Sequence, residues 1–148
     1  MTWKKLLADR KVHTHSTSKK ELDALRELIA RDLADAGIKG LSPDRQFATA
    51  YNAALQTAKM AIACAGYRLT STPGHHRLTF AAARLALGPT AAKSLDYFET
   101  CRRKRNNIDY DHASVATETE AAEMVAAAQA FLELVEQWIA AHHAKLRR

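Results

Sequence analysis

The longest regular pattern in the chain lies near its C-terminus. Thr117 and Glu120 form the T-x-x-E of a capping box, which satisfies free amides at a helix start. Behind it, Ala121, Met124, Val125, Ala128, Phe131, Leu132, Val135, Trp138 and Ile139 recur at the 3.6-residue period of one helix face. Lys145, Arg147 and Arg148 then fall at the end of the pattern, where cations suit the helix dipole. The spacing predicts one long helix over about 117–145. Composition extends the same reading to the whole chain. Hydrophobic residues are 47% of the sequence, mostly alanine and leucine, and only five Gly and three Pro interrupt it. Such a balance favours helices nearly throughout.

Four further helices follow from caps and spacing. Ser18 and Glu21 make a second capping box, Leu22, Leu25, Leu28, Ile29 and Leu33 follow at helical spacing, and Gly37 ends the segment. Ser42 is a good N-cap, with Pro43 at the first helical position, where its missing N–H costs nothing. That helix runs to about Ala65, turns Phe47, Tyr51, Ala54, Leu55, Ala58 and Ile62 inward, and stops at Gly66. "YRLTSTPGHH" reads as a loop. Residues 76–87 form a shorter helix closed by Gly88-Pro89, and another covers about 90–105, with Leu95, Phe98 and Cys101 or Arg102 on one side. Residues 1–17 carry no pattern after Leu7 and read as a flexible arm. A length of 148 residues fits one domain. The short connections predict an all-α fold: an antiparallel four-helix bundle of 43–65, 76–87, 90–105 and 117–145, with the additional N-terminal helix 18–36 packed across it.

Charge and cysteines narrow the class. Lys and Arg number 22 against 16 Asp and Glu, a formal charge of +6. A basic surface is compatible with RNA, DNA or another phosphate partner, although part of the excess sits in the terminal "KKLLADRK" and "AKLRR". Cys64 and Cys101 lie far apart in helical patterns and read as buried free thiols. With no 18-residue apolar run and no signal-peptide core, the expectation is a cytoplasmic protein without a membrane span.

The stretch with the most chemistry is "CRRKRNNIDYDHAS", residues 101–114. A guanidinium holds a phosphate through two parallel hydrogen bonds and keeps its charge. An imidazole titrates near neutral pH, so it can take or give the proton of a ribose or leaving-group oxygen. Arg105 and His112 are separated by six residues. On one continuous helix, positions 102, 105, 109 and 112 would share a stripe, but Arg105 and His112 would stand roughly 10 Å apart along the axis. If the helix breaks at Asn106-Asn107, His112 rides on a turn before the last helix. A twofold dimer would let each Arg meet the other chain's His. The competing structural reading pairs Arg105 with Asp109 at i,i+4 and leaves His112 solvated.

The run "RRKRNNIDYDHAS", followed by "TETEAAEMVAAAQAFLELV", resembles the HEPN superfamily, as do "TAYNAALQTAKMAIACAGYR" and "PGHHRLTF" before it. The resemblance spans about residues 43–142. It implies a small helical bundle that often dimerises and, in many members, cleaves RNA without a metal. The superfamily mark is an Arg, usually followed by a polar residue, with four to six residues before a His. Arg105-Asn106 and His112 match it at the six-residue limit. In other members a Tyr stands where these carry His, and Tyr110 could fill that place, leaving His112 incidental. Some toxins of the superfamily carry a Tyr shortly after the His that a partner nucleotidyltransferase adenylylates; here Tyr110 precedes the His.

The resemblance implies a homodimeric, metal-independent endoribonuclease, the toxin of a toxin–antitoxin or defence pair, with RNA and a cognate antitoxin as partners and no cofactor. Arg105 and His112 are the catalytic candidates, with Asn106 orienting either. Arg102 and Arg103 would attract the RNA backbone, and Tyr110, His75 and His76 are further candidates to contact substrate. The alternative is a catalytically inactive nucleotide-binding or protein-interaction module. His75-His76 also reads as a helix start, His13-x-His15 has no acidic or Cys cluster to complete a metal site, and His142-His143 sits in a last helical turn. Asn52, beside a buried face, is expected to organise a neighbouring loop. Tyr51 reads as core, its hydroxyl bonded to a partner. No short turn precedes a base-reading helix, which disfavours a DNA-binding regulator.

Overall fold

The computed structural model describes residues 1–71, 75–108 and 113–148, with His75 described by its backbone alone. Among them, six α-helices and one short ladder follow in the order α1 (Trp3–Ala8), β1 (Val12–Thr14), α2 (Lys19–Ala36), α3 (Pro43–Cys64), β2 (Tyr67–Leu69), α4 (His75–Leu87), α5 (Ala92–Asn107) and α6 (Glu118–His142). A 3-10 turn, Pro89–Ala91, precedes α5, and another, Ala144–Leu146, follows α6. The fold is the expected all-α bundle. The N-caps form at the expected residues, but the reciprocal capping box closes at Thr117 and not at Ser18, where His15 and Thr17 take the Glu21 carboxylate. Ser18, Ser42 and Thr117 each accept a backbone amide three residues on, and at Thr117 the Glu120 side chain returns the bond.

The centre of the bundle is α3. Its alanines at 50, 53, 54, 58 and 61, together with Phe47, Leu55, Met60 and Ile62, are all buried. A helix that is apolar on every side belongs among other helices, and α3 packs most extensively against α6 and α2, then against α4. An aromatic chain joins the other side. Phe80 of α4 lies 5.4 Å from Phe98 of α5, which lies 5.2 Å from Phe131 of α6, centroid to centroid. Such pairs contribute about 0.5–1.5 kcal/mol each beyond the area they bury.

Two expectations change. Helix α2 is part of the body, not an addition laid across it, because its packing on α3 rivals that of α6. Its inward face also differs: Leu28 is 37% exposed, while Asp32 is buried at 5%. The reason is Asn52 of α3, whose side-chain amide donates to the Asp32 carboxylate at 2.6 Å. Asn52 therefore ties two helices together and does not organise a loop. A second polar tie is stronger. Arg26 of α2 donates through Nε and Nη2 to both oxygens of Glu136 on α6, each at 2.8 Å, and also to the Leu146 carbonyl at 2.8 Å.

The first 17 residues are not an unpatterned arm. Thr2 caps α1, Leu6 and Val12 are buried, and Trp3 stacks on Tyr67 at 4.2 Å. β1 pairs antiparallel with β2 in the register Val12 to Leu69, His13 to Arg68 and Thr14 to Tyr67. Strands this short leave almost no periodic trace in sequence. Among the described residues, no helix is long and apolar enough to cross a membrane.

Candidate functional site

Helix α5 has one inward line of positions: Leu95, Phe98, Arg102, Arg105. Leu95 and Phe98 are buried at 1% and 0%. One turn later the same face carries two half-buried guanidinium groups. The stripe that packs the helix thus changes from hydrocarbon to cation as it nears its end. Arg102 is engaged by Glu99 at 3.1 Å. Arg105 is different: its Nε is buried and has no hydrogen-bond partner among the described residues.

The same region of the core holds a second unsatisfied polar atom. Tyr51, on α3, is 1% exposed, and its Oη likewise has no partner among the described residues. Burial pushes its phenol well above the usual range; the Glu99 charge pushes the same way, against Arg102 and Arg105. At neutral pH Tyr51 is therefore a neutral hydroxyl, a donor lying in the field of two guanidinium groups. Its ring stands edge-on to Phe80 at 5.6 Å and lies 6.1 Å from the His76 imidazole. Burying an unpaired hydroxyl is costly, and phenylalanine would pack the same ring without it. The sequence marked Tyr51 as satisfied core; the burial is correct, and no described residue supplies the expected partner for its hydroxyl. The one signal available was a Tyr where a Phe would suffice.

Chain beyond Asn107 leaves the helix. α5 ends at Asn107, and Ile108 is extended, with φ −70° and ψ 138°. The expected stripe through 102, 105, 109 and 112 and the expected Arg105–Asp109 pair both run past that end, onto residues outside those described. Asn106 and Asn107 belong to the helix, which ends after them at Ile108, where the connection to α6 begins. Asp109, Tyr110 and His112 themselves lie outside the described residues.

That connection is anchored at both ends. On one side Ile108 is buried at 3%. On the other, Ala116 is buried, and the Asp44 carboxylate of α3 accepts the Ala116 amide at 2.7 Å and the Val115 amide at 3.2 Å. Ser114, with φ 61°, occupies the left-handed region that makes the turn into this anchor. Lys104 reaches across to Glu120 at 2.6 Å, joining the end of α5 to the start of α6. That contact, with the Thr117 amide, holds the Glu120 carboxyl down at about 2.

The four cations of "RRKR" thus divide. Arg102 and Lys104 hold local carboxylates, Arg105 is half-buried with a free Nε–H, and Arg103 is exposed with no partner among the described residues. Asn106 is exposed at the end of α5. His76 lies near Tyr51, and His75 opens α4, its side chain outside the description. Elsewhere His15 bonds to Glu21 at 2.8 Å, and His143 lies 4.9 Å from the Trp138 ring. Cys64 is buried, its thiol pushed up to about 11 by desolvation; Cys101 is half-buried, its thiol also raised by burial; both are free.

Chemically, Arg105 and Tyr51 offer N–H and O–H donors with no acceptor among the described residues. An anionic oxygen would satisfy both, and charge-assisted hydrogen bonds of this kind are the strong ones. The model of the SAV_6107-like HEPN family matches residues 38–136, from the turn before α3 to near the end of α6. The region contains Tyr51, Arg105 and the anchored connection. No curated protein and no solved structure matches the chain. On the family match, which covers well over half of its length, the chain belongs to the HEPN superfamily of nucleases and nucleotide-binding modules.

Proposed function

We propose that the protein is a metal-independent endoribonuclease, acting as a homodimer and serving as the toxin of a toxin–antitoxin or defence pair. The observation that supports this reading most is the half-buried Arg105 in the last turn of α5, whose Nε–H has no partner among the described residues, seven positions before His112 in the sequence. A guanidinium with no acceptor among the described residues is suited to an anion that arrives from outside, and a phosphodiester is such an anion.

In this mechanism Arg105 holds the scissile phosphate and stabilises the charge that builds on its oxygens. The ribose 2′-oxygen bonds to phosphorus while its proton passes to a base. The bond from phosphorus to the 5′-oxygen breaks as that oxygen takes up a proton. His112 moves one of these protons. The products are a 2′,3′-cyclic phosphate and a 5′-hydroxyl. Asn106 orients either group. Arg103 attracts the RNA backbone, with Arg102 behind it, and His75, His76 and Tyr110 contact the substrate. Two copies related by a twofold axis bring the Arg of one chain to the His of the other. The formal charge of +6 favours a polyanionic partner.

Purified protein incubated with labelled RNA in EDTA should yield cyclic-phosphate ends, and Arg105→Ala and His112→Ala should each reduce cleavage by at least about 100-fold, the scale of lost acid–base or oxyanion stabilisation. Full activity in folded His112→Ala refutes the proton-transfer role. No cleavage by a folded wild-type dimer would leave the non-catalytic module as the reading to adopt.

A further inference from the structure

A second cluster of charge lies elsewhere on the molecule. A cavity of about 420 Å³ opens between α2, the C-terminal half of α3 and the β1–β2 ladder. Among the described residues, none of α4, α5 or α6 lines it. Lys59, which lines it, lies eight residues along α3 from Tyr51, roughly 12 Å further along the axis. The cavity is therefore separate from the Arg105 region. Part of its wall, His15, Glu21 and Leu25, comes from residues that precede the family match at 38–136. It exists because the N-terminal segment folds back over the bundle.

Its walls are of two kinds. Leu25, Ile62, Tyr67 and Leu69 supply an apolar side. Lys59 of α3 and Arg68 of β2 add two cations to the lining. Glu21 also lines the cavity, but His15 holds both of its oxygens, at 2.8 and 3.0 Å, and Thr17 donates to one at 2.9 Å. Burial opposes the charge of Glu21, yet those bonds and the nearby Arg68 outweigh it and keep the carboxyl below its usual range. Lys59 is half-buried and pairs with no carboxylate among the described residues. Burial depresses its ammonium, and the Arg68 charge depresses it further. Two cations facing one half-buried space without a counter-ion for Lys59 is an unfavourable arrangement that an anion would reverse. The volume lies within the roughly 300–1,000 Å³ of small-molecule sites, which join an apolar lining to a few convergent polar groups.

We propose that this cavity binds a small phosphomonoester with an apolar body, its phosphate held by Lys59 and Arg68 and its body against Leu25, Ile62 and Tyr67. A phosphate carries about −1.5 to −2 charges at neutral pH, which matches two cations better than a carboxylate does.

Calorimetric titration of the full chain with phenyl phosphate tests this. Binding tighter than about 1 mM is expected, with inorganic phosphate and phenylacetate each at least about tenfold weaker. Lys59→Met, which keeps the length of the side chain, and Arg68→Gln, at an exposed position, should each weaken binding by at least about tenfold. Arg105→Ala should leave it unchanged. Four results would overturn the proposal: no binding by the wild type, equal binding by folded Lys59→Met and Arg68→Gln, loss of binding in Arg105→Ala, or phenylacetate or inorganic phosphate binding as tightly as phenyl phosphate. Because the readout is binding of a small probe, it stands or falls independently of RNA cleavage.

Discussion

Replacing Tyr51 with Phe should make this protein more stable and less active. The hydroxyl is buried with the rest of a side chain that is 1% exposed, and no described residue bonds to it. A buried polar group without a partner costs about 1–3 kcal/mol. Tyr51→Phe removes only that oxygen and keeps the ring that meets Phe80 at 5.6 Å. The expected gain is about 1 kcal/mol, since the cavity left by one oxygen offsets part of the relief. In a chain of 148 residues that is a rise in Tm of about 2–4 °C. Urea denaturation followed by circular dichroism measures the change, and an unaltered m-value shows that the folded and unfolded states are otherwise the same. RNA cleavage by the same preparation should fall, because the donor beside Arg105 is gone. This opposition of stability and activity is the mark of a group retained for a ligand. A loss of stability greater than about 1 kcal/mol would show that the hydroxyl is a structural donor after all. A gain in stability with full cleavage would show that it serves no substrate.

Two further outcomes follow from the polar ties. Arg26→Met alone should cost about 3–5 kcal/mol, because it leaves the buried Glu136 carboxylate with only Arg148, at 3.8 Å, among the described residues. Glu136→Gln should cost less, since Arg26 keeps Asp23 and the Leu146 carbonyl, each at 2.8 Å. The double variant Arg26→Met, Glu136→Leu should recover much of the loss in a double-mutant cycle by chemical denaturation. For pH, the Glu120 carboxyl is lowered from the usual 4.5 to about 2 in the folded protein, first by Lys104 and then by the Thr117 amide. A lowered folded value means the contribution is complete above about 4.5 and is lost as pH falls towards about 2. Thermal unfolding across that window should show a shallower decline for Glu120→Gln than for the wild type.

Several elements were legible because they rest on short-range rules. The Thr117–Glu120 box forms with its reciprocal bonds at 3.1 and 3.0 Å, and the stripe behind it buries Met124, Phe131, Val135 and Ile139. Caps and 3.6-residue spacing are properties of neighbouring residues, so sequence reveals them. Leu28 and Asp32 show the limit. Spacing put Leu28 inside, yet a hydrogen bond from Asn52, twenty positions away, draws Asp32 into the interface instead. The N-terminal strand was missed for a related reason: three residues have no period, and Val12 is buried only because β2 and the bundle lie beside it.

The candidate site divides in the same way. Whether the helix continues or breaks at the paired asparagines is left open by the sequence, and the structure ends it after Asn107. Arg105 and Asn106 could be read from the run of cations and the paired asparagines. The unpaired state of the Arg105 Nε and the Tyr51 Oη could not, because whether a buried donor finds an acceptor depends on groups brought near it from other helices. By itself, the sequence determined the five longer helices, the N-caps at Ser18, Ser42 and Thr117 and the positions of the cations, since these follow from local propensity and pattern. Only the tertiary structure decided that α2 joins the body of the bundle, that Tyr51 underlies the cationic end of α5, and that Lys59 and Arg68 share a cavity, because each depends on packing between segments distant in the chain.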